Sequence, residues 1–299
     1  MSSAILFATD LHGNARGFKE LFARAVETRA AAIVLGGDLC PHAWLEGQSA
    51  FLRTWLAPRL RSFRKEHQDV RVFGLLGNDD WGVLQRELEG WEQEGAFCCL
   101  HQRAHQLTDG LWIAGSSFVP VTPFGMSDFD RLDAPGWKPP AKHHAPLFSV
   151  ARASEPRSAD SGLRSATRRV APQATEEIVE GTLEELKRRE TLEECLAALA
   201  RLSPPAQTVY VLHAPPAGTR LDRILDGAHV GSVAIRRFIE SHQPPLTLHG
   251  HIHESPLVSG SISDFIRRTL MLNPGDSQTK LRALRVTLEG TKIEWETSF

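Results

Sequence analysis

Short apolar segments that end in donor side chains dominate this sequence. Asp, Asn or His residues directly follow five such segments, in the clusters Asp10-Leu11-His12, Gly36-Gly37-Asp38, Gly77-Asn78-Asp79-Asp80, His213 and His249-Gly250-His251-Ile252-His253. Ligands of open α/β sheets bind beyond the carboxyl ends of the strands. If the apolar segments are strands, all five clusters can meet at one point. We therefore predict an α/β protein with a polar site at the carboxyl edge of its strands.

The first hundred residues alternate between strand-like and helix-like patterns. Apolar runs at 4–9, 32–35 and 70–76 predict strands. Apolar residues at helical spacing predict helices at 15–28, 51–63 and 81–94. Strand–helix–strand units of this length predict parallel pairing with right-handed crossovers.

The rest of the chain favours further strands with two helices between them. Short β-like runs lie at 97–100, 105–107, 111–115, 209–212, 246–249, 269–272, 281–288 and 291–296, and helical patterns at 182–200 and 232–241. We expect two stacked sheets covered by helices, in a single domain over residues 1–299. We expect Trp44, Trp55 and Trp81 to lie in the core.

A long insertion rich in proline and arginine interrupts this pattern at residues 120–180. A loop of that length inside a compact domain is usually a functional lid or a mobile segment. Between positions 151 and 175 it carries five arginines and two acidic residues. We consider two interpretations, a solvated mobile linker and a basic flap over an anionic substrate.

Composition excludes several classes of protein. With 34 Lys and Arg against 36 Asp and Glu, the net charge of −2 argues against a nucleic-acid partner. There is no apolar run of about 18 residues, so we expect no membrane span. The first residues lack a basic segment and are typical of a strand, not of a signal peptide. The four cysteines have no CxxC spacing, so we expect reduced thiols in a cytoplasmic protein.

The types of donor side chain indicate a metal site. Asp10 and His12 are two residues apart, as are His251 and His253, so each pair can lie on one side of an extended segment. Imidazoles mixed with carboxylates and one amide suit Mn, Fe, Zn or Co better than Mg or Ca. The set contains no thiolate, which disfavours a structural zinc site.

The order of these motifs resembles the calcineurin-like metallophosphoesterase superfamily. The resemblance rests on Asp10-x-His12, Gly37-Asp38, Gly77-Asn78-Asp79-Asp80, His213 and Gly250-His251-x-His253, with Asn273-Pro274-Gly275 added late in the chain. The sequence is most similar to prokaryotic predicted phosphoesterases related to cyclic-nucleotide phosphodiesterases. The resemblance implies a four-layer α/β/β/α sandwich with two mixed sheets.

The same resemblance implies a centre of two divalent metal ions. By position, Asp10, His12 and His253 would hold the first ion, Asn78, His213 and His251 the second, and Asp38 both. Manganese is the ion we expect, with Fe, Zn, Ni or Co as alternatives. The ions would share a hydroxide that attacks a phosphate ester in line. We expect a carboxylate behind each histidine to orient its ring.

One position departs from the family pattern, which usually has a histidine where this chain has Asp79. An aspartate near two cations should stay ionised, act poorly as a general acid and repel a phosphate. We therefore predict a preference for diesters or activated esters over alkyl monoesters. His42, four residues beyond Asp38, is either a substitute proton donor or an ordinary loop histidine.

The sequence thus predicts a phosphodiesterase for small nucleotide-like or activated esters. The alternatives are a phosphomonoesterase or protein phosphatase and, from another class, a non-catalytic metal-binding scaffold on the same fold. The expected partner is a small phosphate-ester substrate, and the sequence sets no oligomeric state.

Overall fold

The computed structural model describes residues 3–124, 126–136, 147–152, 176–181, 183–289 and 292–297. The strands are β1 Ser3–Ala8, β2 Ala32–Leu35, β3 Arg71–Gly74, β4 Cys98–Cys99, β5 Arg103–Thr108, β6 Leu111–Ser116, β7 Val119–Pro120, β8 Asp130–Arg131, β9 Leu147–Arg152, β10 Glu176–Gly181, β11 Thr208–Leu212, β12 Leu246–Leu248, β13 Ser263–Ile266, β14 Thr269–Leu272, β15 Ala283–Glu289 and β16 Lys292–Thr297. The helices are α1 Ala15–Glu27, α2 Leu45–Ala50, α3 Ala57–Glu66, α4 Gln85–Gln93, α5 Leu183–Leu186, α6 Leu192–Leu199, α7 Val233–His242 and α8 Ser255–Ser259. A π-helical segment, Phe51–Leu56, joins α2 to α3, and short 3₁₀ turns lie at Gly82–Leu84 and Pro205–Gln207.

Two six-stranded mixed sheets form the centre of the fold, which confirms the predicted α/β class. The first sheet has the order β16-β15-β1-β2-β3-β4, and β1 to β4 run parallel. The second has the order β13-β14-β12-β11-β6-β5, and β6, β11, β12 and β14 run parallel. The remaining strands join antiparallel at the edges.

The two faces of each sheet contact different layers, because successive side chains of a strand point to opposite sides. Ile5 and Phe7 of β1 pack with Val209 and Val211 of β11 in an apolar layer between the sheets. The alternate residues of both strands join the side chains of α1, α3, α4, α6 and α7 in a second apolar cluster. This arrangement of helix, sheet, sheet and helix is the four-layer sandwich that the sequence predicts.

Two predicted helices have different bounds in the structure. The helix expected at 51–63 begins earlier, at Leu45. The helix expected at 182–200 is divided into α5 and α6. Thr191 starts α6 with a capping box, since its hydroxyl accepts from the Glu194 N–H and the Glu194 carboxylate accepts from the Thr191 N–H. This reciprocal cap fixes a new helix start inside the continuous apolar pattern.

Parts of the predicted insertion at 120–180 are ordered strand and loop. Val121 and Leu132 are buried together with Leu186. The Asp133 carboxylate accepts hydrogen bonds from the N–H groups of Val233 and Ala234 at the start of α7. Strands β9 and β10 pair antiparallel. The rest of the segment, 137–146 and 153–175, lies outside the described residues, so its role as a lid stays a prediction.

Across the part of the chain that the structure describes, none of the helices has the length and apolar character needed to span a bilayer.

Candidate metal centre

The loops that follow β1, β2, β3, β11 and β12 meet at one place, as predicted from their donor residues. Backbone hydrogen bonds hold them together: the N–H of Asp10 donates to the Gly37 carbonyl at 3.0 Å, and that of His12 to the Asp38 carbonyl at 2.9 Å. Within the second sheet, the Gly250 N–H donates to the His213 carbonyl at 2.9 Å, and between the sheets the His251 N–H donates to the Asp10 carboxylate at 3.1 Å. The donor side chains therefore stand on loops that are fixed to one another.

Several of these residues have a backbone conformation that side chains rarely adopt. Asp10, His12, Asp38 and His251 have φ values of 52°, 42°, 50° and 66°. Such left-handed conformations cost free energy and cluster at functional sites, where the surrounding structure maintains them. Here the interlocked loops aim these four side chains at the same point.

The first group of donors consists of Asp10, His12, Asp38 and His253. One ligand atom from each lies within 4.8 Å of the others. The Nε2 atom of His253 is 3.1 Å from Oδ1 of Asp10 and 3.3 Å from Nε2 of His12. The His12 Nε2 atom is 3.9 Å from Oδ2 of Asp38.

The second group consists of Asn78, His213 and His251, again with Asp38. The Asn78 Oδ1 atom is 2.6 Å from Nδ1 of His251 and 3.1 Å from Nε2 of His213. The His213 Nε2 atom is also 3.3 Å from Oδ2 of Asp38. The same Asp38 oxygen therefore faces a histidine of each group, between the two sets of donors.

Both groups fit a divalent cation. Metal–nitrogen and metal–oxygen bonds of about 2.1 Å, at right angles, would place neighbouring donors about 3.0 Å apart. The contacts of 2.6 to 3.3 Å between donor atoms lie near that spacing. The mixture of carboxylate, amide and imidazole is the chemistry of such a centre.

Two of the four histidines in the centre favour their protonated form. Burial lowers the pKa of His253, but its hydrogen bond to Asp10 and the charge of that carboxylate outweigh burial and raise the pKa to about 9. Burial likewise lowers the pKa of His213, but Asp38 outweighs it and raises the pKa to about 10. Burial lowers the pKa values of His12 and His251 to about 3. A bound cation would replace the two protons.

A backbone carbonyl, not the expected carboxylate, orients His213. Its Nδ1–H donates to the Gly36 carbonyl at 2.9 Å, which turns Nε2 towards Asp38 and Asn78. The expectation of a carboxylate behind every histidine is therefore wrong for this residue. The sharp loop after β2 already brings a carbonyl to that position, and a carbonyl orients the ring as well as a carboxylate does.

Asp80 connects two loops of the first sheet, a role that the sequence did not reveal. Its carboxylate accepts the N–H groups of Leu39 at 3.0 Å, Cys40 at 2.8 Å and Gly77 at 2.9 Å. The Gly-Asn-Asp-Asp run contains two adjacent aspartates, and only the structure separates the residue that faces the loops from the one that faces the centre.

Asn273 and His249 do similar work on the second sheet. The Asn273 side-chain amide donates to the carbonyls of Gly250 and Ile252, on either side of His251. The His249 Nδ1 atom lies 2.9 Å from the carbonyls of Leu212 and Ala214, which flank His213. Asn273 belongs to the Asn-Pro-Gly motif, and this contact gives the motif a structural purpose.

Two glycines are required by the close approach of the loops. A Cβ atom on Gly77 would lie 2.1 Å from Oδ1 of Asp38, and one on Gly250 would lie 2.2 Å from Oδ2 of Asp10. Both distances are far below contact, so any side chain here would displace a carboxylate of the centre.

Asp79 and His42 lie together at the rim of the centre. The Asp79 N–H donates to Oδ1 of Asp38 at 2.8 Å, and its own Oδ2 atom lies 3.4 Å from Nδ1 of His42 and 4.0 Å from Nδ1 of His12. The His42 ring stacks on the His12 ring with centroids 4.2 Å apart. Burial raises the pKa of Asp79, although His42 and other nearby histidines oppose this rise.

Cavities open on two sides of the centre. One, of 450 Å³, borders His42 and Asp79, and its other walls include Trp44, Trp81, Phe124 and Met126. The other, of 610 Å³, borders His251, and its walls include Pro120, Val121, Phe124, Ile224 and Ile252. Trp81 is buried as predicted, but Trp44 is 65% exposed, so its predicted place in the core is wrong. Trp44 directly precedes α2, where the chain leaves the centre.

Comparisons with known proteins agree with this architecture. The family model described as calcineurin-like phosphoesterase matches residues 3–255. A search of curated protein sequences finds no match. Among solved structures, one is 16% identical with a TM-score of 0.60, and TT1561 of Thermus thermophilus is 17% identical with a TM-score of 0.55; each likeness covers 99% of both chains. At these identities the likeness concerns the fold alone.

Proposed function

The chain belongs to the calcineurin-like phosphoesterase family, whose members are hydrolases of phosphoric esters, and on that premise we propose that it is a metal-dependent phosphodiesterase. Its substrates would be small nucleotide-like or otherwise activated diesters. The observation that carries this proposal is the carboxylate of Asp79 at the rim of the centre, 3.4 Å from His42 and 4.0 Å from His12.

In this proposal the seven donors hold two divalent ions, for which manganese is our choice. Asp10, His12 and His253 would hold one ion, Asn78, His213 and His251 would hold the other, and Asp38 would belong to both groups. Bound ions supply Lewis acidity and a nucleophile derived from water near neutral pH. The protein itself contributes fixed donor positions, since the loops that carry the ligands are hydrogen-bonded to each other.

Asp79 favours diesters because of charge. A phosphodiester carries one negative charge, whereas a monoester carries up to two near neutral pH. The repulsion from a nearby carboxylate scales with the charge of the substrate. An ionised Asp79 side chain would therefore repel a monoester more strongly than a diester.

His42 is our candidate for the proton donor to the leaving group. Its Nδ1 atom faces Asp79, which would hold the ring in position, and it borders the cavity beside the centre. General acid catalysis typically contributes about 10²- to 10⁴-fold, and most for poor leaving groups. The pair of Asp79 and His42 would thus replace the histidine that the family pattern usually has in the position of Asp79.

The two cavities give further support, because a diester has an organic group on each side of its phosphorus. One cavity borders Asp79 and the other borders His251, so each ester group would have its own space. A monoester would use one of them.

The test is hydrolysis of matched alkyl monoesters, aryl monoesters and diesters by protein loaded with Mn²⁺, Fe²⁺, Zn²⁺ or Ni²⁺. We expect kcat/KM for nucleotide or aryl diesters to exceed that for alkyl monoesters by at least about tenfold, a difference of ~1.4 kcal/mol. Asp38→Asn serves as the inactive control for contaminating phosphatases. Faster hydrolysis of alkyl monoesters would contradict the proposal. Two bound metal ions without turnover of any ester would indicate a non-catalytic scaffold.

A further inference from the structure

Two large aromatic side chains are exposed in one cavity next to the centre. Trp44 is 65% exposed and Phe124 is 54% exposed, and both line the 450 Å³ cavity that borders His42 and Asp79. Apolar side chains that are exposed together, and not singly, commonly mark a binding site. We call this cavity the aromatic cleft and define it by Trp44, Trp81, Phe124 and Met126.

We infer that the aromatic cleft binds an uncharged planar group on the leaving-group side of the substrate, so that diesters with an aromatic leaving group are preferred. This inference rests on the proposed function and extends it to a substrate class. It makes Trp44 and Phe124 specificity-determining residues.

Hydrogen bonds connect the aromatic cleft to the centre. The Gln48 side-chain NH₂ group donates to the backbone carbonyl of Asp79 at 2.6 Å, and the Gln48 side-chain oxygen accepts the backbone N–H of Trp81 at 2.9 Å. The rings of Trp44 and Trp81 are nearly parallel, at 18°, with centroids 6.4 Å apart. One side chain therefore ties the wall of the cleft to the loop that carries Asn78 and Asp79.

The position of the cleft assigns it to the leaving group. His42 and Asp79 line it, and these are the residues that we propose to protonate the departing oxygen. A group that occupies the cleft would therefore be attached to that oxygen.

The lining also determines what kind of group fits. The described lining of the cleft contains no Lys or Arg, and it includes the acidic residue Asp79. A second phosphate would have no cationic partner there. Aromatic walls instead favour stacking with an uncharged ring, an interaction that each base or aryl face can make.

The second cavity has a different character. Its described walls mix aliphatic side chains such as Val121 and Ile224 with the ionisable Asp133, His229 and Glu254. Phe124 is the one Phe, Tyr or Trp in that described lining, so no second large ring stands beside it. The planar group therefore belongs in the aromatic cleft, and the second cavity is left to the other ester group.

The experiment compares methyl phenyl phosphate with methyl hexafluoroisopropyl phosphate, whose leaving groups are of similar acidity. We expect Trp44→Ala to lower kcat/KM for the phenyl ester about tenfold and that for the fluoroalkyl ester less than twofold, since only the phenyl ring stacks. Trp44→Phe should restore most of the loss, and Phe124→Leu should show a weaker form of it. Phe265→Ala is the matched control, because Phe265 is equally exposed, at 61%, but lies on β13.

A binding measurement separates this inference from the proposed function. Calorimetry with the metal-loaded protein would compare methyl(phenyl)phosphinate with dimethylphosphinate, neither of which has an ester bond to cleave. We expect the wild type to bind the phenyl compound about tenfold more tightly than the dimethyl compound. Trp44→Ala should bind the two compounds with equal affinity. If diesters are hydrolysed but Trp44→Ala affects both substrates alike, or neither, the inference is overturned and the proposed function stands. If no diester is hydrolysed, the proposed function fails. The inference about the cleft is then supported by tighter binding of the phenyl compound that Trp44→Ala abolishes, and it is contradicted by equal binding of the two phosphinates to the wild type.

Discussion

The two sheets contribute different chemistry to one centre. The loops of the first sheet supply oxygen donors from Asp10, Asp38 and Asn78, with His12 as the exception. The loops of the second sheet supply only nitrogen donors, from His213, His251 and His253. Apart from the contact between His12 and His253, the close contacts between donors of the two sheets pair an oxygen with an imidazole. The packing of one sheet on the other therefore brings most of the oxygen donors together with their nitrogen partners.

The sheets also hold their donors in different ways. On the first sheet, three donors stand on loops with positive φ, and the Asp80 carboxylate clamps the loops through three N–H groups. On the second sheet, the buried side chains of His249 and Asn273 hold the loops by their carbonyls. The first sheet therefore supplies the carboxylates that make the centre negatively charged, and the second sheet supplies histidines that face them from the opposite side.

Asp38→Asn should break the centre most severely, because Asp38 is the first-sheet donor that faces a histidine of each group. We expect both metal ions to be lost and kcat/KM to fall by at least about 10³-fold, since bound ions contribute several kcal/mol to catalysis. Asn can still accept the Asp79 N–H, so the metal-free fold should persist. Metal analysis, circular dichroism and kinetics of the same sample test this. Two tightly bound ions in the variant would contradict the shared role of Asp38.

Two substitutions each change the charge of one donor group. Asp10→Asn removes a carboxylate from the first group, and Asn78→Asp adds a carboxylate to the second. Asp10→Asn should remove one ion and lower kcat/KM about 10²-fold. Asn78→Asp should tighten binding of the second ion at least about tenfold, because even ~1.4 kcal/mol of added attraction gives that factor. Calorimetric titration with Mn²⁺ resolves the two sites. Equal changes at both sites in either variant would show that the two groups are not separate.

The donors could be predicted from the sequence because each follows an apolar strand. Parallel strands bring their carboxyl ends to one edge, so a local pattern implies a remote meeting point. The same reasoning predicted the strand Ala32–Leu35 and the strand Thr269–Leu272 with their observed bounds. Strand ends are local features that the apolar pattern locates, whereas the four-layer arrangement was an expectation from the family resemblance.

Other features could not be predicted, since they depend on contacts between distant residues. Asp79 and Asp80 are neighbours, yet one faces the centre and the other accepts the N–H groups of Leu39 and Cys40. Trp44 has a large apolar side chain of the kind that usually lies in a core, but it is exposed in the wall of a cavity. Burial of a particular side chain depends on the layer above it, which the local sequence does not encode.

Asp79→His tests the surplus carboxylate that the first sheet places at the rim. The change removes a charge and adds a proton donor, so kcat/KM for an alkyl monoester should rise about 10²-fold, at the low end of what general acids contribute. Asp79→Asn is the matched control, because it removes the charge without adding a donor and should give only part of the rise. Unchanged monoester turnover in both variants would refute the role that we give to this carboxylate.

The last prediction concerns a connection between the sheets that needs no metal. The chain passes from the first sheet to the second at residues 100–102, where the Leu100 N–H donates to the Gly74 carbonyl and the Gln102 N–H to the Gly115 carbonyl. Between them, Nδ1 of His101 accepts the Ser117 N–H at 3.0 Å, which requires that atom to be unprotonated. Burial, with Arg131 and Arg103 nearby, lowers the pKa of His101 to about 3.

This histidine should make the metal-free protein less stable in acid. Between the ordinary pKa of about 6.5 and the folded value of about 3, the unfolded chain binds a proton at His101 and the folded protein does not, so the free energy of unfolding falls as the pH falls. The slope from one such group is at most ~1.4 kcal/mol per pH unit. His101→Gln can keep accepting the Ser117 N–H without titrating, so urea unfolding between pH 6.5 and 4 should show a shallower slope than in the wild type. Identical slopes for His101→Gln and the wild type would mean that protonation of His101 does not contribute to the loss of stability in acid.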